Sequence, residues 1–589
     1  MHHSIQRLLA VSACFGLPFV LAYGVLPLPN FINELAASLG LGLLLLVRAR
    51  DPGDLRSGWP YWAVMATLAV LIAMTMAQAI GKPAPADPET YILAVVYLLL
   101  GALAFHLGWT VGSQDQARSD WMASICWVLV SCAALASAAG LVQYFQLPGH
   151  WALIPYLDTP GRAFGFIRQP NHQATFLAIG LHATAWLLSS SKIRGRTFAA
   201  IAALLVLGIV ATGSRSGAVM LAISLPWMAW TMPKPQIRRQ VLLVAIWLLA
   251  ATAVLYWLHV EGIATFHAVA KAAQTATEGA GMRTRIWTET IRLIADKPFT
   301  GHGLGRYGPT MFASGAVVSI GSMMSNAHNL FLQIAFDFGV PAALLVAGTL
   351  MATIVVALQA HRQRDHAAAL AMVGCILIHA MLEFPLWYTY FLQILLFMLG
   401  LAAAHVTARS GSPVLGASLQ IATRRLAIHR ASLAAAGLTI VVGCVWINND
   451  FYRISPIFRA AAEGTVEERI EHAQTVSWFR KYVRFAKVMS QKVTPTSASA
   501  YAAEMQVLSC TMLEPLYQSS LVTALAMDGQ LAAARRMLYL YLRLSKEMSA
   551  HLKAGLAEVS GPSFDALRRF IDTPVDERTP PDVLIPCLR

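Results

Sequence analysis

The chain has 589 residues, 57% of them hydrophobic and 13% charged, with a mean hydropathy of +0.57. Soluble globular chains carry about 25% charged residues, so this composition excludes a soluble protein and points to a chain that crosses a membrane many times. The formal charge of +14 gathers in short loops between apolar runs, which reads as a topology signal and excludes nucleic acid as the expected partner.

Crossing about 30 Å of hydrocarbon takes about 20 apolar residues, and about thirteen runs approach that length. They lie near 8–26, 32–47, 61–80, 90–112, 121–143, 172–190, 198–213, 217–232, 240–259, 337–359, 367–386, 388–407 and 432–448. The first reads as a retained anchor, because "LAYGVLPLPN" offers no small-residue cleavage site. With the N-terminus in the cytoplasm, the inside loops hold Arg48, Arg50 and Arg56; Lys192, Arg194 and Arg196; Lys234, Arg238 and Arg239; Arg362 and Arg364; and Arg424, Arg425 and Arg430. The first, second and fourth loops on the other side hold almost nothing basic.

The expected fold is therefore all-α and polytopic. Residues 1–448 form a transmembrane domain with about thirteen helices, interrupted by a large outside loop at about 260–336 between the ninth and tenth spans. Residues 449–589, where charge rises, form a helical domain outside the membrane. Within it "VTALAMDGQLAAARRMLYLYLRLS" has the spacing of a helical hairpin, and "VTPTSASA" reads as an inter-helix linker. Five of the seven cysteines, Cys14, Cys126, Cys132, Cys375 and Cys444, fall in spans as small packing residues. Cys510 and Cys587 lie in the tail, where an oxidising compartment would let them pair. No CxxC or His/Cys cluster calls for a metal.

The residues with chemistry lie mostly in the outside loops. In "LPGHWALIPYLDTPGRAFGFIRQPNHQATF", Pro170 and Asn171 read as helix punctuation, with Asn171 as the cap. Capping leaves Gln169 and His172 unexplained. "ATGSRSGAVM" places Arg215 among small residues, either as an arginine reaching headgroups or, with free backbone N–H groups, as a phosphate seat. In "MRTRIWTETIRLIADKPFTGHGLGRYG", Ile286, Trp287, Ile291 and Ile294 suggest a helix lying in the interface plane, with Arg283 and Arg285 off that face. "GHGLGRYG" has no preceding strand and is read as a sharp turn after Pro298 rather than a phosphate fingerprint. "SMMSNAHNLFLQIAFDFG" sets His328 between Asn326 and Asn329. It is either an interfacial imidazole or one whose tautomer the two amides hold for general-base work. "HAMLEFPLWYTYF" adds Glu383, a carboxylate at membrane depth that needs a partner, and a belt of aromatics that includes Tyr388.

Positive-inside counting puts all of these groups on one face. A transporter gathers its polar groups near the midplane, whereas polar groups at one mouth suit chemistry on a substrate with a lipid tail and an anionic head.

"RxFGFIRQPNH" (Arg162 to His172), "TGSRSG" (212–217), "RxxIWxxxxxxIxxxPxxGxGxGxY" (Arg283 to Tyr307), "NAHNxFLQ" (Asn326 to Gln333) and "EFPLWY" (Glu383 to Tyr388) resemble the bacterial O-antigen ligase and polymerase superfamily. Within it they look most like the PglL-type protein O-oligosaccharyltransferases of the pilin-glycosylating branch. The resemblance spans about residues 140–405, and more loosely the tail. It implies an inner-membrane glycosyltransferase, metal-independent and without a cofactor, whose active site and C-terminal domain face the periplasm. The implied donor is an undecaprenyl-pyrophosphate-linked oligosaccharide, and the acceptor a Ser or Thr hydroxyl of a pilin or other exported protein. His328 is the implied catalytic residue, with Gln169 and Tyr388 contributing to acceptor glycosylation; Tyr390 competes for the tyrosine's place. The implied pyrophosphate arginines are Arg215 and Arg283 or Arg285, with His172, Asn326, Asn329 and Glu383 in support. An O-antigen ligase acting on lipid A core, a glycan polymerase and a lipid-linked glycan flippase are the competing readings.

Overall fold

The structure, a computed structural model, describes residues 2–51, 57–81, 88–147, 161–231, 235–261, 281–405, 419–509, 518–544, 556 and 561–573. Among these residues the regular elements are all helical. Among the described residues, seven helices are long and apolar enough to cross a membrane: Phe31–Arg50, Trp59–Ile80, Pro88–Gly112, Asp115–Tyr144, Arg238–Val260, Val340–Leu358 and Thr423–Phe458. Ser4–Phe19, Gly195–Ala211 and Thr389–Ala403 are shorter apolar helices. The protein is a helical, multi-pass membrane protein. Cys510 and Cys587 lie outside the described residues.

The chain forms two compact units. The first comprises Met1–Val70, Val96–Gly279 and Leu345–Asn448. Its centre is the Pro170–Ser189 helix, buried along its length from His172 to Leu187. Asp115–Tyr144, Gly195–Ala211, Arg215–Thr231 and Arg364–Ala380 all pack against it. Small residues permit this: a Cβ on Gly180 would meet the Ala133 methyl at 2.5 Å, so the two helices close to backbone contact there. Several polar side chains of the central helix find partners inside the protein rather than in lipid. Gln173 Nε2 donates to the Ala136 carbonyl at 2.8 Å, and the Thr175 hydroxyl meets His379 Nδ1 at 2.8 Å. Near its C-terminus, Trp186 Nε1 donates to Asp365 at 2.9 Å, and Asp365 also pairs with Arg118 at 3.1 Å.

The second unit comprises Leu71–Val95, Ala280–Leu344 and Asn449–Arg589. The Met282–Asp296 helix buries Ile286, Leu293 and Ile294 in one cluster with Tyr307, Phe336 and Tyr541, and its buried Thr290 shares a hydrogen bond with the Tyr307 hydroxyl at 2.6 Å. One residue of the expected apolar face differs. Ile291 is 56% exposed, and Leu293 takes its place, because the buried stripe follows the i, i+4, i+7, i+8 spacing from Ile286. This stripe packs against protein in its own unit.

The glycine-rich stretch after Pro298 is a turn, as read from the sequence. The His302 N–H donates to Phe336 O at 2.7 Å and its ring stacks on Phe336. Gly301 has φ +66, and a Cβ there would lie 2.6 Å from the Phe336 and Asp337 backbone, so no side chain fits. The C-terminal segment is helical as expected. Gln518–Met527 and Leu531–Leu544 form a hairpin across Gly529, which has φ +77. The linker is shorter than "VTPTSASA": Thr494 to Ser497 make a hydroxyl-bonded turn, and a helix begins at Ala498.

Candidate functional site

In the first unit, three separate sequence segments meet at one end of the central helix. Pro170 at the first helical position suits its fixed φ, and Gln169 is the cap: its Oε1 accepts the His172 N–H at 2.6 Å. The sequence reading gave that role to Asn171, and the structure corrects it. Asn171 Nδ2 instead donates to Glu383 Oε1 at 3.0 Å, and Asn171 Oδ1 accepts from the Ser214 hydroxyl at 2.7 Å. Ser214 in turn accepts the Gly217 N–H at 3.1 Å, capping the Arg215–Thr231 helix. One asparagine thus joins the QPNH, TGSRSG and EFPLWY segments and fixes the turn that carries exposed Arg215. Asn171→Ala strips partners from a buried carboxylate and a buried hydroxyl. It is expected to cost about 1–3 kcal/mol, read as a lower thermal midpoint of the purified protein in detergent.

Arg162 belongs to the same cluster. Its Nε donates to the Thr212 carbonyl at 3.0 Å. Burial pulls its pKa down from the ordinary arginine value, and the nearby Glu383 carboxylate opposes that fall. The loop bearing Arg162 is clamped by Gln143, whose side chain accepts from Gly165 N at 2.8 Å and donates to Gly165 O at 2.7 Å. His172 is 1% exposed. Its ring packs edge-on against Tyr388, His379 and Phe391, with centroids 4.8, 5.2 and 5.3 Å away. Of the two candidate tyrosines, Tyr390 is fully buried and Tyr388 half-buried, so Tyr388 is the more accessible of the two.

Sequence reasoning passed over two residues here. Arg162 stood in a quoted motif, and its proximity to Glu383, far along the chain, had no local signal. Glu34 did have one, as a lone carboxylate in an apolar run. It accepts the Thr389 N–H at 2.8 Å and the Thr389 hydroxyl, pinning the residue next to Tyr388.

In the second unit, His328 sits in a left-handed conformation, φ +49, which is uncommon for a residue with a side chain. Its surroundings hold it there. Asn326 Oδ1 accepts the His328 N–H at 3.1 Å, and Asn329 Oδ1 accepts from Phe331 N and Leu332 N at 3.1 Å each, capping Leu330–Phe338. Between them, Ala327 is fixed on both sides: its N–H donates to Gln333 Oε1 at 2.8 Å, and its carbonyl accepts from Trp287 Nε1 at 3.1 Å. The asparagine oxygens therefore serve the backbone. Their effect is to aim His328, which is half-buried, by fixing its main chain. Trp287 also links this turn to the Met282–Asp296 helix, whose first turn carries half-buried Arg283 and Arg285.

The structure thus brings Gln169, His172, Arg215, Glu383 and Tyr388 together in the first unit. Arg283, Arg285, Asn326, His328 and Asn329 belong to the second.

Comparison with known proteins agrees with the motifs. Residues 200–347 match the O-antigen ligase family profile. Residues 367–551 match the C-terminal profile of virulence factor membrane-bound polymerases, and 163–188 match the protein glycosylation ligase profile. A general O-oligosaccharyltransferase of Acinetobacter baylyi is 28% identical over 341 residues, covering 55% of this chain and 58% of the relative. The ComP-specific O-oligosaccharyltransferase of the same organism is 21% identical over 426 residues, 70% of this chain and 71% of the relative. The O-antigen ligase of Pseudomonas aeruginosa is 27% identical over 220 residues, 37% of this chain and 47% of that protein. The resemblance read from QPNH, NAHN and EFPLWY therefore holds at modest identity.

Proposed function

We propose that this relative of the O-antigen ligases is a protein O-oligosaccharyltransferase. It moves a preassembled oligosaccharide from undecaprenyl pyrophosphate to a Ser or Thr hydroxyl of a pilin or another exported protein. The observation that carries this reading is the protein glycosylation ligase match at 163–188, which falls on the segment where Asn171 joins Glu383 to the Arg215 turn. In this reading about thirteen crossings set the N-terminus in the cytoplasm of a bacterial inner membrane, with the functional loops and the tail in the periplasm.

The chemistry needs no metal and no covalent sugar intermediate. Guanidinium groups of Arg215 and of Arg283 or Arg285 bind pyrophosphate and neutralise the charge that grows on it as the anomeric C–O bond breaks. His328 takes the proton of the acceptor hydroxyl as its oxygen bonds to the opposite face of that carbon, inverting it. Undecaprenyl pyrophosphate leaves with the bonding electrons. Glu383 supports this indirectly, by holding Asn171 and facing Arg162. Gln169 and Tyr388 help to seat the acceptor.

The O-antigen ligase profile over 200–347 favours a second reading, transfer to lipid A core. Purified protein in detergent, given lipid-linked glycan with either a pilin or lipid A core, separates the two. Glycan on the pilin supports the proposal, and glycan only on lipid A core replaces it. Transfer to neither leaves a flippase as the better reading.

A further inference from the structure

The Gly195–Ala211 and Pro235–Val260 helices begin at the end of the first unit away from Arg215. At 1.5 Å per residue that end lies roughly 25 Å from Arg215 along the first of them. There a cavity of about 600 Å³ is lined by Arg194, Gly195, Arg196, Arg239, Gln240 and Leu243. The arginines are exposed and make no ion pair among the described residues. No Asp or Glu occurs between residues 159 and 260, so this stretch of chain brings no countercharge of its own.

One further feature points to an anion, and a second to a hydrogen-bond donor beside it. Arg194 stands at the N-cap of the Gly195–Ala211 helix without a side-chain capping bond, leaving first-turn N–H groups and the positive end of the helix dipole at the cavity. Gln240 Oε1 is buried and accepts no hydrogen bond, although Gln240 lines the same space. A topology signal asks only that arginines lie on one side of the membrane. It does not ask that they converge on a cavity at an uncapped helix end.

The lipid-facing side of the Pro235–Val260 helix continues from the cavity. Leu242, Ile246 and Leu249 are 60%, 53% and 72% exposed, and Trp247 Nε1 ties this helix to the Ala203 carbonyl at 2.8 Å. A charged seat beneath an apolar wall matches a phosphodiester headgroup with acyl chains, and a soluble anion would leave the wall unused.

We propose that this cavity binds an anionic glycerophospholipid of the adjoining leaflet. The arginines hold its phosphate, and Gln240 accepts a headgroup hydroxyl. Phosphatidylglycerol fits both requirements. The site is separate from the proposed transfer chemistry and holds whether or not that reading does.

Delipidated full-length protein, titrated with phosphatidylglycerol or phosphatidylethanolamine and followed by native mass spectrometry, tests this. Wild-type protein should retain phosphatidylglycerol in preference. The R194A/R239A double variant should bind it about thirtyfold more weakly, on the order of fivefold for each arginine near a lipid surface. R362A, which removes a basic residue outside the cavity, should bind as wild type does, and R194K/R239K should recover part of the affinity. Unchanged melting of the double variant in detergent excludes misfolding as the cause. Equal retention of the two lipids overturns the proposal. So does wild-type affinity in the double variant, or binding of inorganic pyrophosphate without binding of phosphatidylglycerol.

Discussion

His328→Ala is expected to lower glycan transfer by about a thousandfold, within the range for loss of a positioned acid–base group, while the protein still inserts in the membrane. Alanine is a blunt test, because residue 328 has φ +49 and an alanine held in that region costs about 1–2 kcal/mol. His328→Asn is sharper. Asparagine tolerates the left-handed conformation and can still hydrogen-bond a hydroxyl, but it cannot take a proton at neutral pH. If proton removal by the imidazole is what counts, both variants fall together in kcat on the lipid-linked donor, and neither loses thermal stability enough to explain it. Transfer by H328N within about tenfold of wild type would instead assign His328 to aiming the hydroxyl, since a group that only orients leaves proton-transfer catalysis untouched. Wild-type transfer in both would remove His328 from the chemistry.

The sequence made the helical membrane architecture legible because hydrocarbon imposes a length and an apolarity that composition reveals directly. Its limits appear where burial is set by neighbouring helices. The Pro170–Ser189 helix is buried on all sides and can hold Gln173, His182 and Thr184 because other helices, not lipid, surround it. At the site, the motif residues could be named, but their partners could not. Asn171 reads as a cap because caps are local, and only the fold reveals that Gln169 does that work while Asn171 bonds to Glu383, 212 positions away. Likewise the asparagines around His328 looked like partners for its ring. In the fold the Asn326 oxygen accepts the His328 N–H, and the Asn329 oxygen caps the helix that follows, contacts set by backbone dihedrals that a sequence does not display. Glu34 shows the reverse case: its signal was present, and the Thr389 it holds was too distant in the chain to suggest what the signal meant.

Arg215→Ala is the second large effect, expected to reduce transfer by about 10²- to 10³-fold, as does loss of one preorganised group that stabilises transition-state charge. Ser214 anchors the turn through Asn171 and caps the helix that Arg215 begins, so the backbone carrying the guanidinium is fixed, and an anion bound there also meets the positive end of that helix. The alanine variant keeps that anchor, so its melting should match wild type. Arg215→Lys retains the charge but not the planar fork that grips two phosphate oxygens, and is expected to recover only part of the rate. Kinetics with varied donor then separates two uses of the arginine. A loss confined to KM means that it holds the pyrophosphate equally in the bound donor and in the transition state. A loss shared equally by kcat and kcat/KM means that its grip tightens only as the leaving group takes on charge, the behaviour expected if catalysis here consists mainly of stabilising that departure.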